Sequence, residues 1–158
     1  MRRSAAYGAQ REVIVGGYAF DVPDVLRPLH TAMAQRGVTA TLFIDIPGVA
    51  ATRDDADPFA TATIGRFFRE VWTFGGPKPE VYYDPRTAAP GPPWASLHAK
   101  CIVVDDERTP RRRISPTDRG QARNIDAGVL IEDRAFAEEL GAQWRQLVGA
   151  GLVNKYLG

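Results

Sequence analysis

Cysteine and histidine are both scarce in this sequence. Its 158 residues contain one cysteine, Cys101, and two histidines, His30 and His98. A single cysteine excludes an internal disulfide, and its position in an apolar run predicts that Cys101 packs in the core. No apolar run approaches the ~20 residues that a membrane-spanning helix needs, and residues 1–6 lack the apolar segment of a secretory signal. We therefore expect a cytoplasmic protein without a membrane partner.

The sequence also lacks an excess of either charge. It has 20 Lys and Arg residues against 19 Asp and Glu residues, so its net charge of +1 does not mark it as a nucleic-acid-binding protein. One segment is different, because six arginines and only one aspartate, Asp118, lie between Arg108 and Arg123. Such a basic segment suits a phosphodiester backbone, or it is a solvated loop whose arginines only maintain solubility.

The length predicts one domain, residues 1–158 with a core over about 12–153, which can bury about two thirds of its unfolded surface. Apolar alternation and helical spacing predict strands at 12–20, 38–45, 79–83, 97–104 and 125–131. Predicted helices run from Pro23 to Arg36, from near Asp57 to Gly75, and from Asp133 onward. Their inner faces should include, in the second helix, Phe59, Ile64, Phe67, Phe68 and Val71, and in the last helix, Phe136, Leu140, Trp144, Leu147 and Val148. This order predicts an α/β sandwich with helices on both faces.

A histidine and a lysine stand two residues apart at the start of the fourth predicted strand. In a strand, His98 and Lys100 leave one face, whereas the other face receives Leu97, Ala99 and Cys101. An imidazole can attack phosphorus or protonate a leaving oxygen, and a lysine cation can hold the charge on the remaining phosphate oxygens. The pair therefore predicts a phosphoryl site; the alternative is a structural histidine, which is the more common role of a histidine in a strand.

The spacing His98-x-Lys100-x4-Asp105 matches the H-x-K-x-x-x-x-D signature of the phospholipase D superfamily, which this chain resembles. The later run 123–131 resembles the strand on which, in that superfamily, an acidic residue orients the catalytic histidine. The resemblance covers about residues 12–153 and implies a phospholipase-D-like α/β/α sandwich with a mixed central sheet. A closer similarity, to the phospholipase-D-like component of the DISARM anti-phage defence system, is carried by segments 79–86, 96–100 and 120–124.

Members of this superfamily join two such motifs at one site, without a metal or another cofactor. One histidine attacks phosphorus to form a phosphohistidine, and the other protonates the leaving group. This chain has a single motif, because His30 has no lysine partner and falls on a predicted helix, where we interpret it as structural. The resemblance therefore implies a homodimer in which two copies of His98 share one site on the two-fold axis.

The resemblance also assigns roles to individual residues. His98 is the nucleophile in one protomer and the general acid in the other, and Lys100 binds the phosphate oxygens. Asp126 occupies the position of the acidic residue that holds the far nitrogen of His98. Asn124 is a candidate for substrate binding, as a backbone anchor. Asp105 supports the structure in this family; the alternative is a strand-end carboxylate that faces water.

The implied function is that of a metal-independent nuclease that acts on DNA in anti-phage defence, alongside other defence subunits. The alternative is a catalytically impaired homologue that binds nucleic acid or serves as a scaffold subunit in a defence complex. Segment 110–117 favours the alternative, because the family places a serine and an asparagine of its phosphate pocket there. By spacing, Arg113 and Ser115 occupy these two positions, and both are candidate substrate-binding residues.

The coding DNA tests whether segment 110–117 is read in the intended frame. Codons for the run Pro-Arg-Arg-Arg-Ile-Ser-Pro can spell Thr-Ser-Ala-Asn-Phe-Thr when they are read two bases later, and this is the run expected in the family. We predict that the DNA for residues 109–117 contains this offset reading, through a natural double frameshift or a sequencing error. An offset frame that spells another peptide would make the arginine run a genuine departure from the family.

Overall fold

The structure, a computed structural model, describes residues 8–17, 20–106 and 131–158. Within these ranges strands and helices alternate along the chain, except that only a short 3-10 helix separates the third and fourth strands. The elements are β1 (Glu12–Gly17), α1 (Pro23–Arg36), β2 (Thr39–Ile44), α2 (Ala56–Glu70), β3 (Glu80–Tyr83), β4 (Lys100–Val104), α3 (Arg134–Gly149) and β5 (Asn154–Lys155), with a short 3-10 helix, Pro85–Ala88, after β3.

The strands of the described residues form one mixed sheet in the order β4-β1-β2-β3-β5. β1, β2 and β3 are parallel, and α1 and α2 connect them in turn. β4 pairs antiparallel with β1, and β5 pairs antiparallel with β3. β1, β2 and β3 therefore end at the same edge of the sheet, which we call the carboxyl edge, and β4 begins there.

Both faces of the sheet bury apolar side chains, and both are covered by helices. Val13 and Val15 of β1 belong to a core with residues of α1 and α2, whereas Ile14 belongs to a second core with residues of α3. This split follows from the period of two along a strand. The predicted inner face of α2 is confirmed, with Ile64 and Phe67 buried and Phe59, Phe68 and Val71 packed against the core. The predicted sandwich, with its mixed sheet and helices on both faces, is confirmed.

The ends of α1 and the start of α3 follow the sequence prediction. Pro23 occupies the first turn of α1, and Gly37 closes it in the left-handed conformation, with φ of 66°. Asp133 caps α3 by accepting a hydrogen bond of 3.0 Å from the amide of Phe136. The side chain of Phe136 is exposed, so its predicted place on the inner face is wrong. The other four predicted residues do lie on this face, since Trp144 is buried and Leu140, Leu147 and Val148 pack against the core. Ala137 and Gly141 are buried as well.

Two predicted boundaries differ from the structure. β4 begins at Lys100 rather than at residue 97, because its partner β1 ends at Gly17, which pairs with Lys100. α2 ends at Glu70 rather than near Gly75. The backbone leaves the helical path there because the indole of Trp72 is buried in the core.

Two short elements are absent from the sequence prediction. β5 has two residues and the 3-10 helix has four, so neither contains enough residues to show a periodic apolar pattern. β5 forms because its two residues pair with β3. The 3-10 helix depends on Asp84, whose side chain accepts a hydrogen bond from the amide of Arg86.

Asp105 joins the end of β4 to the start of β1. Its Oδ1 accepts hydrogen bonds from the amides of Arg11 (2.7 Å) and Glu12 (2.9 Å), and its Oδ2 accepts one from the amide of Gln10 (2.8 Å). Burial by itself raises the pKa of Asp105, but these amides and the charge of Arg11 outweigh it and lower the pKa. Asp105 is thus a structural support, and the alternative that it faces water is wrong.

Asp105→Asn should lower the free energy of unfolding by about 1–3 kcal/mol near pH 7, the cost of leaving the partly buried amide of Gln10 unpaired. The asparagine amide nitrogen cannot accept the hydrogen bond from Gln10, whereas the left-handed backbone at Asp105 (φ 55°) suits asparagine as well as aspartate. Because the folded pKa is lowered, the stabilisation is present above the unfolded pKa of about 3.9 and is lost as pH falls through the folded pKa. Urea unfolding of both proteins should therefore show a difference that shrinks below about pH 4.

Asp54→Asn makes the same chemical change at an exposed position and serves as the control. It should alter the free energy of unfolding by less than about 0.5 kcal/mol. Equal destabilisation by the two substitutions would contradict the role given to Asp105.

Candidate active site

The His98 motif lies at the carboxyl edge of the sheet. Lys100, the first residue of β4, pairs with Gly17 at the end of β1, and Ile44 at the end of β2 pairs with Gly17 from the other side. His98 precedes β4 by two residues. It is therefore placed beyond the strand ends, where ligand sites of open α/β sheets usually lie.

His98 and Lys100 form a close pair at this edge. Lys100 Nζ lies 3.2 Å from His98 Nε2, and His98 is exposed while Lys100 is half-buried. A lysine ammonium only donates hydrogen bonds, so Nε2 accepts from Lys100 in the tautomer that carries its proton on Nδ1. The two side chains converge, as their spacing predicts.

The residues between and beside this pair turn to the other side. Leu97, Ala99 and Cys101 are partly buried and pack against the core that contains residues of α3. Burial raises the pKa of the Cys101 thiol, which is typical of a packing residue rather than a reactive thiol. Residues 97–99 precede β4, yet their side chains already follow the alternation of the strand.

Asp45 is a residue of this edge that the sequence analysis does not identify. It follows β2 and is 8% exposed. Its Oδ1 accepts a hydrogen bond of 2.9 Å from the amide of Leu97, and its Oδ2 lies 3.5 Å from the hydroxyl of Ser96. Burial raises the pKa of Asp45 despite these contacts and the opposing effect of the charge of His98. The available signal was an aspartate directly after a buried parallel strand, because such strands end at one edge.

Several predicted site residues lie outside the described residues. They are Asp126, Asn124, Arg113, Ser115 and the basic segment 108–123. The predicted strand 125–131 likewise falls outside them, apart from its last residue. Their roles therefore stay predictions. Asp105 is described, and it lies at the opposite end of β4 from His98.

His30 lies on α1 and is held by neighbouring groups. Its Nε2 is 3.0 Å from the carbonyl oxygen of Gly75, and its ring stacks on Phe74 with the ring centroids 5.1 Å apart. These contacts confirm its interpretation as a structural residue.

No group of three or more His, Cys, Asp and Glu side chains that could hold a metal ion occurs among the residues that the structure describes. Over the same part of the chain, no helix combines the length and the apolar character needed to cross a membrane.

No family model matches the sequence, and no curated protein matches it. Solved structures do match. Nuc from Salmonella typhimurium, a phospholipase D family member, is 21% identical, with a TM-score of 0.64 over 98% of this chain and 88% of that chain. NucT from Helicobacter pylori is 15% identical, with a TM-score of 0.63 over 91% of this chain and 82% of that chain.

Phosphatidylserine synthase from Haemophilus influenzae is 14% identical, with a TM-score of 0.61. That match covers 94% of this chain but 34% of the synthase, so this chain spans about a third of the larger protein. The fold of this chain is therefore that of phospholipase D family members.

Proposed function

We propose that this chain is a phosphodiesterase that acts on DNA as a metal-independent nuclease, through a phosphohistidine intermediate on His98. The pair of His98 Nε2 and Lys100 Nζ, 3.2 Å apart, carries the proposal, because it offers a nucleophile and a cation at one accessible point. The fold shared with a phospholipase D family member and with NucT supports phosphodiester chemistry.

In the first step, the lone pair of His98 Nε2 attacks phosphorus. The N–P bond forms as the P–O bond to the leaving nucleotide breaks, and Lys100 holds the negative charge on the non-bridging oxygens. The 3.2 Å separation of Lys100 Nζ and His98 Nε2 supports this role, because it puts a cation beside the attacking nitrogen.

The leaving oxygen needs a proton, which we assign to His98 of a second protomer. In the second step water attacks phosphorus and breaks the N–P bond, while that same imidazole, now neutral, accepts the proton of the water. The described residues contain one other histidine, His30, which is already placed on α1. A homodimer with one shared site therefore supplies the second imidazole.

The remaining site residues of this proposal are assigned from the sequence alone. Asp126 is proposed to accept the Nδ1 proton of His98 and so to fix its tautomer. Arg113, Ser115 and Asn124 are proposed to bind the phosphate, and the arginines of segment 108–123 to bind the DNA backbone. A role in anti-phage defence with other subunits rests on the similarity of segments 79–86, 96–100 and 120–124 to a DISARM component.

A second candidate is a catalytically impaired homologue that binds DNA or serves as a scaffold subunit. The observation that favours it is segment 110–117, in which arginines replace the small and amide residues of the family's phosphate pocket. Loss of such donors costs about 10²–10³ in rate for each donor.

His98→Ala should abolish cleavage of DNA in buffer that contains EDTA, while wild-type protein cleaves under the same conditions. The expected loss exceeds about 10³-fold, because the variant lacks the nucleophile. His30→Gln is the matched control, since it removes the other histidine of the chain and should leave the rate unchanged. Gel assays on labelled DNA, with phosphatidylcholine vesicles as a competing lipid substrate, provide the measurement.

Cleavage that persists in His98→Ala, or that requires a divalent cation, would refute the mechanism. Binding without turnover would support the second candidate. The fluorescence of Trp94 reports such binding, because Trp94 is 70% exposed whereas Trp72 and Trp144 are 3% and 8% exposed. A fall in DNA affinity with rising salt concentration would identify contacts with phosphate.

Mixed dimers test whether two protomers share one site. When wild-type and His98→Ala chains are exchanged by unfolding and refolding together, activity should follow the square of the wild-type fraction. An equal mixture should retain about a quarter of the activity, because only dimers with two histidines act. A linear decline with the wild-type fraction would mean that each protomer has its own site.

A further inference from the structure

Asp45, through its backbone amide and its carboxylate, connects three segments at the carboxyl edge. Its own amide donates a hydrogen bond of 3.2 Å to the carbonyl of Gly17, at the end of β1. Its side chain accepts a hydrogen bond of 2.9 Å from the amide of Leu97 and lies 3.5 Å from the hydroxyl of Ser96. The chain that leads into His98 is therefore held one residue before the imidazole.

We propose that Asp45 is the positioning residue of His98: it fixes the backbone at Leu97 and supplies a buried negative charge that stabilises the imidazole when it becomes positively charged. This inference rests on the proposed function, because it assumes that His98 reacts. It adds a second carboxylate to the one expected at Asp126.

The negative charge of Asp45 would stabilise His98 in both of its proposed roles, as nucleophile and as general acid. The attacking imidazole becomes cationic when Nε2 bonds to phosphorus and Nδ1 keeps its proton, and the general acid begins as an imidazolium. A carboxylate held against the backbone next to His98 would stabilise both forms without reorganisation. The hydrogen bond to the amide of Leu97 holds the carboxylate beside the residue that precedes His98, and the charge of His98 acts to lower the pKa of Asp45.

A purely structural role does not explain a carboxylate at this position. Burial raises the pKa of Asp45, so its ionised form is less favourable in the folded protein than in the unfolded chain, and its charge lowers stability at neutral pH. Asp105 is the opposite case, since its backbone amides lower its pKa and its charge stabilises the fold. An uncharged acceptor would hold the amide of Leu97 equally well.

Asp45→Asn separates the charge from the hydrogen bond. Its Oδ1 can still accept from the amide of Leu97, and its amino group can donate to the hydroxyl of Ser96. We expect kcat for DNA cleavage to fall about tenfold or more, KM to stay within about twofold, and the melting temperature to be equal or higher. Asp45→Ala removes both contacts and should lower kcat further.

Asp105→Asn is the comparison for the fold, because it should lower the melting temperature while kcat for the folded fraction stays unchanged. An Asp45→Asn protein with unaltered kcat would overturn the role of the charge. A parallel fall of kcat and melting temperature in Asp45→Ala, with full rescue in Asp45→Asn, would show a structural role only.

A second readout separates this inference from the proposed function. The chain has two histidines, so their ring signals in NMR spectra are assigned with His30→Gln. Asp45→Asn should move the His98 signals and leave those of His30 in place. If His98→Ala cleaves DNA normally, the proposed function fails. If His98→Ala is inactive but Asp45→Asn moves neither the His98 signals nor kcat, only the inference about Asp45 fails.

Discussion

The ladder between β1 and β4 runs from the pair Val13–Val104 at one edge of the sheet to Gly17–Lys100 at the other. Because β4 is antiparallel to the three central strands, its first residue arrives where they end. The turn of direction brings the chain that carries His98 to the end of β2, so that Asp45 can bind the amide of Leu97. If β4 were parallel to β1, His98 would lie at the opposite edge of the sheet, and Asp45 could not bind the amide of Leu97.

Two of the buried carboxylates, Asp45 and Asp105, lie at opposite edges of the sheet and differ in their effect on the stability of the fold. Asp105 accepts three backbone hydrogen bonds, which compensate for its burial and lower its pKa. Asp45 also has hydrogen-bond partners, namely the amides of Leu97 and Ile46 and the hydroxyl of Ser96, but burial outweighs them, so its pKa is raised. The ionised carboxylate that lowers the stability of the fold, Asp45, thus lies at the edge that carries His98. Carboxylates with raised pKa values are typical of functional sites.

The face under α3 depends on a close approach between helix and sheet. A Cβ atom on Gly16 would collide with the ring of Trp144, so glycine at this strand position lets the indole lie against β1. Trp144 also packs on Phe43 of β2, with the ring centroids 4.6 Å apart. Leu97, Ala99 and Cys101 pack against the same core, so the packing of α3 helps to fix the chain on either side of His98.

Local patterns in the sequence determined the central strands, the start of α1, the cap of α3 and the direction in which His98 and Lys100 point, because each depends on residues within a few positions of one another. The sequence also predicted helices on both faces. It did not determine where β4 and α2 are cut short, since these limits depend on the length of β1 and on the burial of Trp72. The contact of Asp45 with Leu97 joins residues 52 positions apart, and only the order and direction of the strands decided that they meet.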